Sequence, residues 1–339
     1  MTTPSDQGIL LVNLGTPASP DVPDVRRFLA EFLWDKHVLD INPVARFILL
    51  HASILRTRPA KSAAAYRKIW TDRGSPLLFN SEDLLTGLRP RLGEFEMALA
   101  MRYGSPSIAD GLQQLHDRGC KRVLVCPLYP QYAASSTLTT HDKVKSEISQ
   151  RGLALEFTTL PAFYDHPGFI TAGASVARPL LGDFAPDHVL MSFHGLPERH
   201  MIREHPSHCL QGSGCCDTIG ERNQNCYRAQ CYATARALAS SLELQDRYSV
   251  SFQSRMGRTQ WITPYTDFRI PELAAAGVRR LAVMCPAFVA DCLETVEEIG
   301  IRAQEQFQAE GGESLILIPS LNADHAWLKG LEAIIRDSL

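Results

Sequence analysis

"DRGCKRVLVCPLYP" at 117–130 and "AAGVRRLAVMCPAF" at 275–288 share one outline. In each, a helix-like stretch stops at a glycine, a basic pair follows, and an apolar strand runs into Cys-Pro. Neither strand alternates with polar residues, which is the mark of strands covered on both faces. Five more runs have the same character: "ILLVNLG" (9–15), "EMALAMRYG" (96–104), "HVLMSFHG" (188–195), "YSVSFQS" (248–254) and "SLILIPSL" (314–321). Helix-like stretches lie between them, such as 107–119, 229–244 and 270–277. This alternation predicts an α/β protein with parallel sheets. The recurring outline predicts two similar doubly wound units, although such helix–turn–strand grammar also recurs by chance. The boundary is expected near 170–185. That gives an N-terminal domain over 1–175, a C-terminal domain over 176–320 and a C-terminal helix over 321–339.

Composition bounds the function. The chain has 339 residues, 45% of them hydrophobic and 21% charged, which suits a soluble globular protein. Net charge is −3 with no long basic run, so nucleic acid is not an expected partner. The start lacks a basic region ahead of a long apolar stretch, so no signal peptide is expected, and no apolar run is long enough to span a membrane. Nine cysteines, an odd number, favour reduced thiols or metal ligation over a disulfide framework. A cytoplasmic location follows as the expectation. Residues 24–65 break the pattern, with large apolar residues interspersed with basic ones. The ordinary reading is a helix packed on the sheet. The sharper one is an apolar lip that accepts a greasy ligand or touches a membrane surface.

Ligands of open α/β sheets bind beyond the carboxyl ends of the strands. "VLMSFHGLPER" (189–199) puts His194 at such an end, where glycine and proline break the strand. Arg102 and Tyr103 end another run. "VADCLETVEEIG" (289–300) carries Asp291, Glu294 and Glu298 at i, i+3 and i+7, so an α-helix there would put all three carboxylates on one face. Such a row is either a solvated acidic face or a path for cations and protons.

"SFHGLPER" and "ADCLETVEEI", with "ILLVNLGTP", "GSPL" (74–77), "YPQY" (129–132) and "FQSRMGRTQWITPYTD" (252–267), resemble the ferrochelatases over nearly the whole chain. The resemblance implies two similar domains with a porphyrin cleft between them, and insertion of Fe²⁺ into a free-base porphyrin. It implies His194 and Glu294 as the active-site pair and as contacts of the substrate Fe²⁺. Asp291 and Glu298 would extend the acidic row. Leu14, Arg102, Tyr103, Tyr132 and Trp261 match porphyrin-lining positions, and 24–65 would form the cleft lip. Cys292 stands where animal enzymes have a second histidine, so their proton route is not assigned to it. A neutral imidazole suits the chemistry, because it accepts a proton near neutral pH where carboxylates are too weakly basic. Gly195 is expected to let a large planar substrate approach the backbone.

After "GLPERH", the segment from about 200 to 231 holds Cys209, Cys215, Cys216, Cys226 and Cys231, where shorter relatives have almost nothing. It is too poor in apolar residues to hold a core, so a metal clip would order it. Four thiolates suffice for a [2Fe–2S] cluster, and some relatives carry one; a structural zinc and free thiols are the alternatives. Cys231, at the start of a helix shared with cluster-free relatives, is the expected spare. The resemblance implies porphyrin and ferrous iron as partners, with weak peripheral contact at the inner face of a membrane. Protoporphyrin IX is the expected substrate and coproporphyrin III the alternative. A non-catalytic haem- or iron-responsive binding protein on the same fold is the reading from another class.

Overall fold

The apolar runs become parallel strands because each can bury every side chain without an alternating wet face. The structure, a computed structural model, describes residues 6–205, 209, 214–257 and 259–339, so part of the Cys-rich insertion lies outside the described residues. Strands β1 (Gln7–Gly15), β2 (Glu96–Tyr103), β3 (Arg122–Pro127) and β4 (Glu156–Thr159) form one parallel sheet in the order β2-β1-β3-β4. Strands β5 (His188–His194), β6 (Tyr248–Gln253), β7 (Arg280–Met284) and β8 (Ser314–Leu317) form a second in the order β6-β5-β7-β8. Counted within each sheet, the two orders are identical. The Cys-Pro strands β3 and β7 occupy the same place, so the repeated outline is a repeated topology, and the α/β doubly wound class holds.

The first sheet buries Leu10, Val12, Val123 and Val125 under Ile108, Leu112 and Leu115 of helix Ile108–Asp117 and Val144 of helix Thr139–Arg151. The second buries Leu190, Leu281 and Val283 under Ile270 and Leu273 of helix Thr266–Ala275 and Phe307 of helix Gln304–Ala309.

The chain divides into two compact units: Met1–Tyr129 with Ala134–Pro161 and Ile335–Leu339, and Pro130–Ala133 with Ala162–Ile334. The division falls earlier than the expected 170–185, because helix Pro167–Phe184 packs within the second unit. Its Gly173 faces Leu238 of helix Tyr227–Ser241, and a Cβ on Gly168 would lie 2.8 Å from the Gly330 carbonyl of helix His325–Arg336. Trp327 of that terminal helix is wholly buried beside Phe163 and Phe169. The helix expected as a separate element is thus largely part of the second core.

Residues 24–65 are not one helix packed on a sheet. They fall in helices Val22–Trp34 and Pro43–Leu49, a π-helix Leu50–Ile54 and helix Leu55–Ile69. Leu33, Leu50 and Leu55 close a small core of their own. The Arg46 guanidinium turns inward, donating to the carbonyls of Trp34 and Ile41 at 2.8 and 2.9 Å. Trp34, Val44, Phe47, Ile48 and Leu49 are left 37–68% exposed. Among the described residues, no helix is long and apolar enough to cross a membrane.

Candidate active site

The singled-out residues fall in both units. His194 is the last residue of β5, paired with Gln253 at the end of β6. Its Nδ1 lies 2.6 Å from the Gly195 carbonyl. A carbonyl only accepts, so Nδ1 carries the proton, and Nε2 of the neutral ring holds the free lone pair. The ring is flanked by Trp261 and Phe288, with centroids 6.4 and 6.2 Å away. From behind, the Tyr227 hydroxyl donates to the His194 carbonyl at 2.8 Å.

Gly195 is required by its protein neighbours. A Cβ there would lie 2.8 Å from the Gln253 carbonyl and 3.2 Å from the Trp261 ring. The glycine lets the strand end pack closely against its own neighbours. Trp261 itself is 7% exposed, its indole N–H donating to the Met256 carbonyl at 2.9 Å.

The acidic segment is a π-helix, Leu293–Ala303, not the expected α-helix. Bonds from i to i+5 give more than four residues per turn, so Glu294 and Glu298 at i and i+4 still share a face. Asp291 leaves the row. Its carboxylate accepts from Asn322 Nδ2 at 2.8 Å, Ser320 N at 3.1 Å and Thr295 Oγ1 at 3.2 Å, and so anchors the loop after β8. Glu298 accepts from Ser254 N at 2.9 Å and Ser254 Oγ at 2.5 Å. Burial pushes its carboxyl above the usual range, the Ser254 hydroxyl pulls the other way, and the Glu294 charge adds to the rise, with the Arg302 charge opposing it. The Cys292 thiol is buried and held protonated, first by burial and then by the Glu294 charge, and it is hydrogen-bonded to the Glu294 carboxylate.

Sequence reasoning missed Gln253, Ser254 and Tyr227. Gln253 is 2% exposed; it accepts from Ser192 Oγ at 2.7 Å and donates to the Glu294 carbonyl at 2.7 Å, tying β5, β6 and the π-helix together. Ser254 holds φ +66, a left-handed conformation unusual for serine and a mark of strained functional backbone. Its place at a strand end within "FQSRMGRTQW" was the available signal. Tyr132, half-buried, donates its backbone N–H to Gln230 at 2.6 Å.

In the first unit, Leu14 is half-buried near the end of β1. Gly15 follows with φ +117, and a Cβ there would overlap the Tyr103 carbonyl at 1.8 Å. Arg102 and Tyr103, expected as porphyrin-lining side chains, both have partners within this unit. Arg102 pairs with Asp35 and donates to Thr139 Oγ1 at 2.9 Å, and the 1% exposed Tyr103 donates to Asp35 at 3.0 Å. Burial alone would raise the Asp35 carboxyl. Thr139, the His37 backbone N–H, Arg102 and Tyr103 together hold it below the usual range. Asp35 caps helix Val22–Trp34, so this network fastens the exposed apolar segment to the end of β2.

None of the nine cysteines is in a disulfide. Among the described residues, no group of three or more His, Cys, Asp or Glu is arranged as a metal site. Four thiols of the insertion are nevertheless linked pairwise: Cys226 to both Cys209 and Cys216, and Cys215 to Cys216 with sulfurs 3.7 Å apart. Arg228 donates to the Cys216 sulfur at 3.1 Å. Cys231 is wholly buried, and its thiol instead meets the Tyr227 hydroxyl.

A model of the ferrochelatase family matches residues 6–339. The chain is 49% identical to a ferrochelatase of Ectopseudomonas mendocina, over 97% of this chain and 97% of that protein. It is 45% identical to one of Coxiella burnetii, over 98% and 94%. Among solved structures it is similar in fold to SirB from Bacillus subtilis with Fe3+, at TM-score 0.55 and 10% identity, covering 98% of this chain and 95% of that one.

Proposed function

The chain belongs to the ferrochelatase family, and from that premise we propose that it inserts ferrous iron into protoporphyrin IX with His194 as acceptor of the pyrrole protons. As a ferrochelatase it is a metal chelatase, a lyase acting on a porphyrin and ferrous iron. The observation that carries the role of His194 is its tautomer. With Nδ1–H spent on Gly195, the neutral ring presents Nε2 as a base on the last residue of a rigid strand. Each porphyrin loses two pyrrole protons as the metal enters. Nε2 takes them in turn, and Glu298 is suited to pass them on, because its raised pKa brings it nearer to that of imidazole. Glu294 is the carboxylate left for the incoming cation, its position supported by Cys292. Anaerobic absorbance assays with protoporphyrin IX and coproporphyrin III test the reading. Faster turnover of the dicarboxylate porphyrin is expected; preference for coproporphyrin III overturns that choice of substrate.

Two further parts belong to this reading. A [2Fe–2S] cluster on Cys209, Cys215, Cys216 and Cys226 is proposed from the sequence alone, which brings the four cysteines such a cluster needs into one insertion; among the described residues they are not arranged as a metal site. When bound, the cluster would order the insertion. Protein purified without oxygen should be coloured, with about two irons and two acid-labile sulfides per chain. Cys216→Ser should bleach it, whereas Cys231→Ser should not. One zinc per chain in colourless protein would replace the cluster with a structural zinc. The exposed Trp34, Phe47 and Ile48 support peripheral contact with a membrane surface by a cytoplasmic protein.

A further inference from the structure

The acidic π-helix has a counterpart in the first unit, and the counterpart lacks the acids. The Cys-Pro pairs at 126–127 and 285–286 set the correspondence. Leu10 of β1 pairs with Val125, just before Cys126, and Met191 of β5 pairs with Met284, just before Cys285. Asn13 thus stands where the second sheet has His194. Their partners on the adjoining strands, Met101 of β2 and Gln253 of β6, correspond in turn. A π-helix starts eight residues beyond the cysteine in both units, at Ala134 and at Leu293. In the first unit it is five residues long, Ala134–Leu138, and passes into helix Thr139–Arg151. In the second it runs for eleven. Ser135 and Thr139 occupy the places of Glu294 and Glu298. The topology therefore needs neither the histidine nor the acids, and it does not need Gln253.

We propose that Gln253 is a positioning residue for metal insertion, its amide holding the Glu294 backbone and the Glu298 carboxylate in one fixed register. The proposal rests on the reading of those two glutamates as the groups that meet the cation and pass on protons. Gln253 Nε2 donates to the Glu294 carbonyl at 2.7 Å and to Glu298 Oε2 at 3.4 Å. A carbonyl oxygen only accepts, so these partners fix which end of the amide faces the π-helix. The other end, Oε1, accepts from Ser192 Oγ at 2.7 Å and from the Cys285 thiol at 3.7 Å. Behind Ser192, the hydroxyls of Thr266 and Ser251 continue the buried chain at 2.8 Å each. A π-helix longer than one turn is rare, because its i to i+5 closure is poorly packed, so a long one gains from an outside hold. Trp261 and Tyr132 hang on other partners, Met256 and Gln230. Loss of the amide should therefore separate iron handling from porphyrin binding.

The test compares wild type with Gln253→Met, which installs the residue of the corresponding position in the first sheet, and with Thr266→Val. The second substitution cuts the same buried chain two links away and leaves the amide in place. In anaerobic assays with ferrous iron and protoporphyrin IX, Gln253→Met should raise the KM for iron and lower kcat about tenfold or more, since small misplacements of reacting groups are costly. Its porphyrin affinity, by fluorescence quenching, should stay at the wild-type value. Backbone hydrogen exchange over 293–303 should quicken. Thr266→Val should lower Tm at least as much, yet keep the wild-type KM for iron and slow exchange over 293–303. Gln253→Asn, whose amide is one carbon short of Glu294, retains a polar group in the chain and should show the same split as Gln253→Met. Wild-type iron kinetics in both Gln253 variants overturn the proposal. So does unchanged exchange over 293–303, or a Thr266→Val protein whose iron kinetics shift as far as those of Gln253→Met. Glu294→Gln tests the underlying reading separately: wild-type iron kinetics there, with the Gln253→Met split present, overturn the role of the acids and leave the tether standing.

Discussion

His194 is the residue on which the chemistry turns, and its surroundings make its removal a clean experiment. Among the described residues the ring's hydrogen bond is to the Gly195 carbonyl, so His194→Ala should fold. Turnover should fall at least about 100-fold, measured anaerobically with saturating porphyrin and iron, since a positioned general base contributes that much or more. A variant that keeps more than about a tenth of the wild-type rate is incompatible with the base role. Glu298 gives a second residue-level expectation, through stability. A carboxyl whose folded-state pKa lies above its unfolded value favours the folded state at low pH and loses that contribution as pH rises through the folded value. Glu298 is such a group, raised first by burial and then by Glu294. Glu298→Gln cannot ionise, so it should melt above wild type near pH 8 and show no advantage near pH 4, by thermal melts across that range. An equal or higher wild-type Tm near pH 8 would mean that the carboxylate is not strained. His194 and Glu298 were both legible in the sequence, because a strand end and a spacing of charges are local signals. Gln253 and Tyr227 were not, because a buried glutamine and tyrosine look like any core residue until their partners are placed.

Among the elements, legibility followed burial. Seven apolar runs were read as strands, and each overlaps one. The strand that escaped is β4, "EFTT", a four-residue edge strand with exposed Glu156 and Thr158. An edge strand has no need of the continuous apolar run that betrays central ones. The π-helix escaped for another reason: carboxylates at i and i+4 share a face in either helix type, so their spacing does not report the hydrogen-bond register. The partners of Asp291 could not be read from the sequence, because Ser320 and Asn322 lie about thirty residues away. The same holds for Arg102, whose partner Asp35 sits in the segment that broke the strand pattern. That pair carries a prediction. Both side chains are largely buried, with 11% of Arg102 and 6% of Asp35 exposed. Asp35→Asn leaves the guanidinium short of a charge, which costs about 3 kcal/mol when such a pair is broken. Urea unfolding should show that loss, and the porphyrin KM should rise as helix Val22–Trp34 loses its anchor. A loss under about 1 kcal/mol would mean that solvent already screens the pair.

The whole molecule is one topology used twice, and the duplication could be read because β3 and β7 keep the same punctuation, each leading to a Cys-Pro pair, at Cys126 and at Cys285. The exact division was not readable: helix Pro167–Phe184 is apolar enough to serve either unit, and it is the fit of Gly173 and Gly168 against its neighbours that assigns it. What the molecule does with the exposed apolar residues of 34–49 follows from charge as well as area. The chain carries net charge −3, so long-range attraction to anionic lipid is weak. Trp34, Val44, Phe47, Ile48 and Leu49 expose between 37 and 68% of their surface, and each gains on the order of 1 kcal/mol if that part is buried. The gross gain is then a few kcal/mol, comparable to a single acyl chain, which gives only reversible attachment. The protein should therefore be extractable without detergent, yet co-sediment in part with liposomes. Because the attraction is apolar, about 0.5 M salt should not release it, and neutral and anionic vesicles should bind alike. Phe47→Ser with Ile48→Ser should abolish sedimentation while leaving turnover of detergent-dispersed porphyrin near wild type. Binding that salt removes, or that survives the double substitution, would move the contact away from this face.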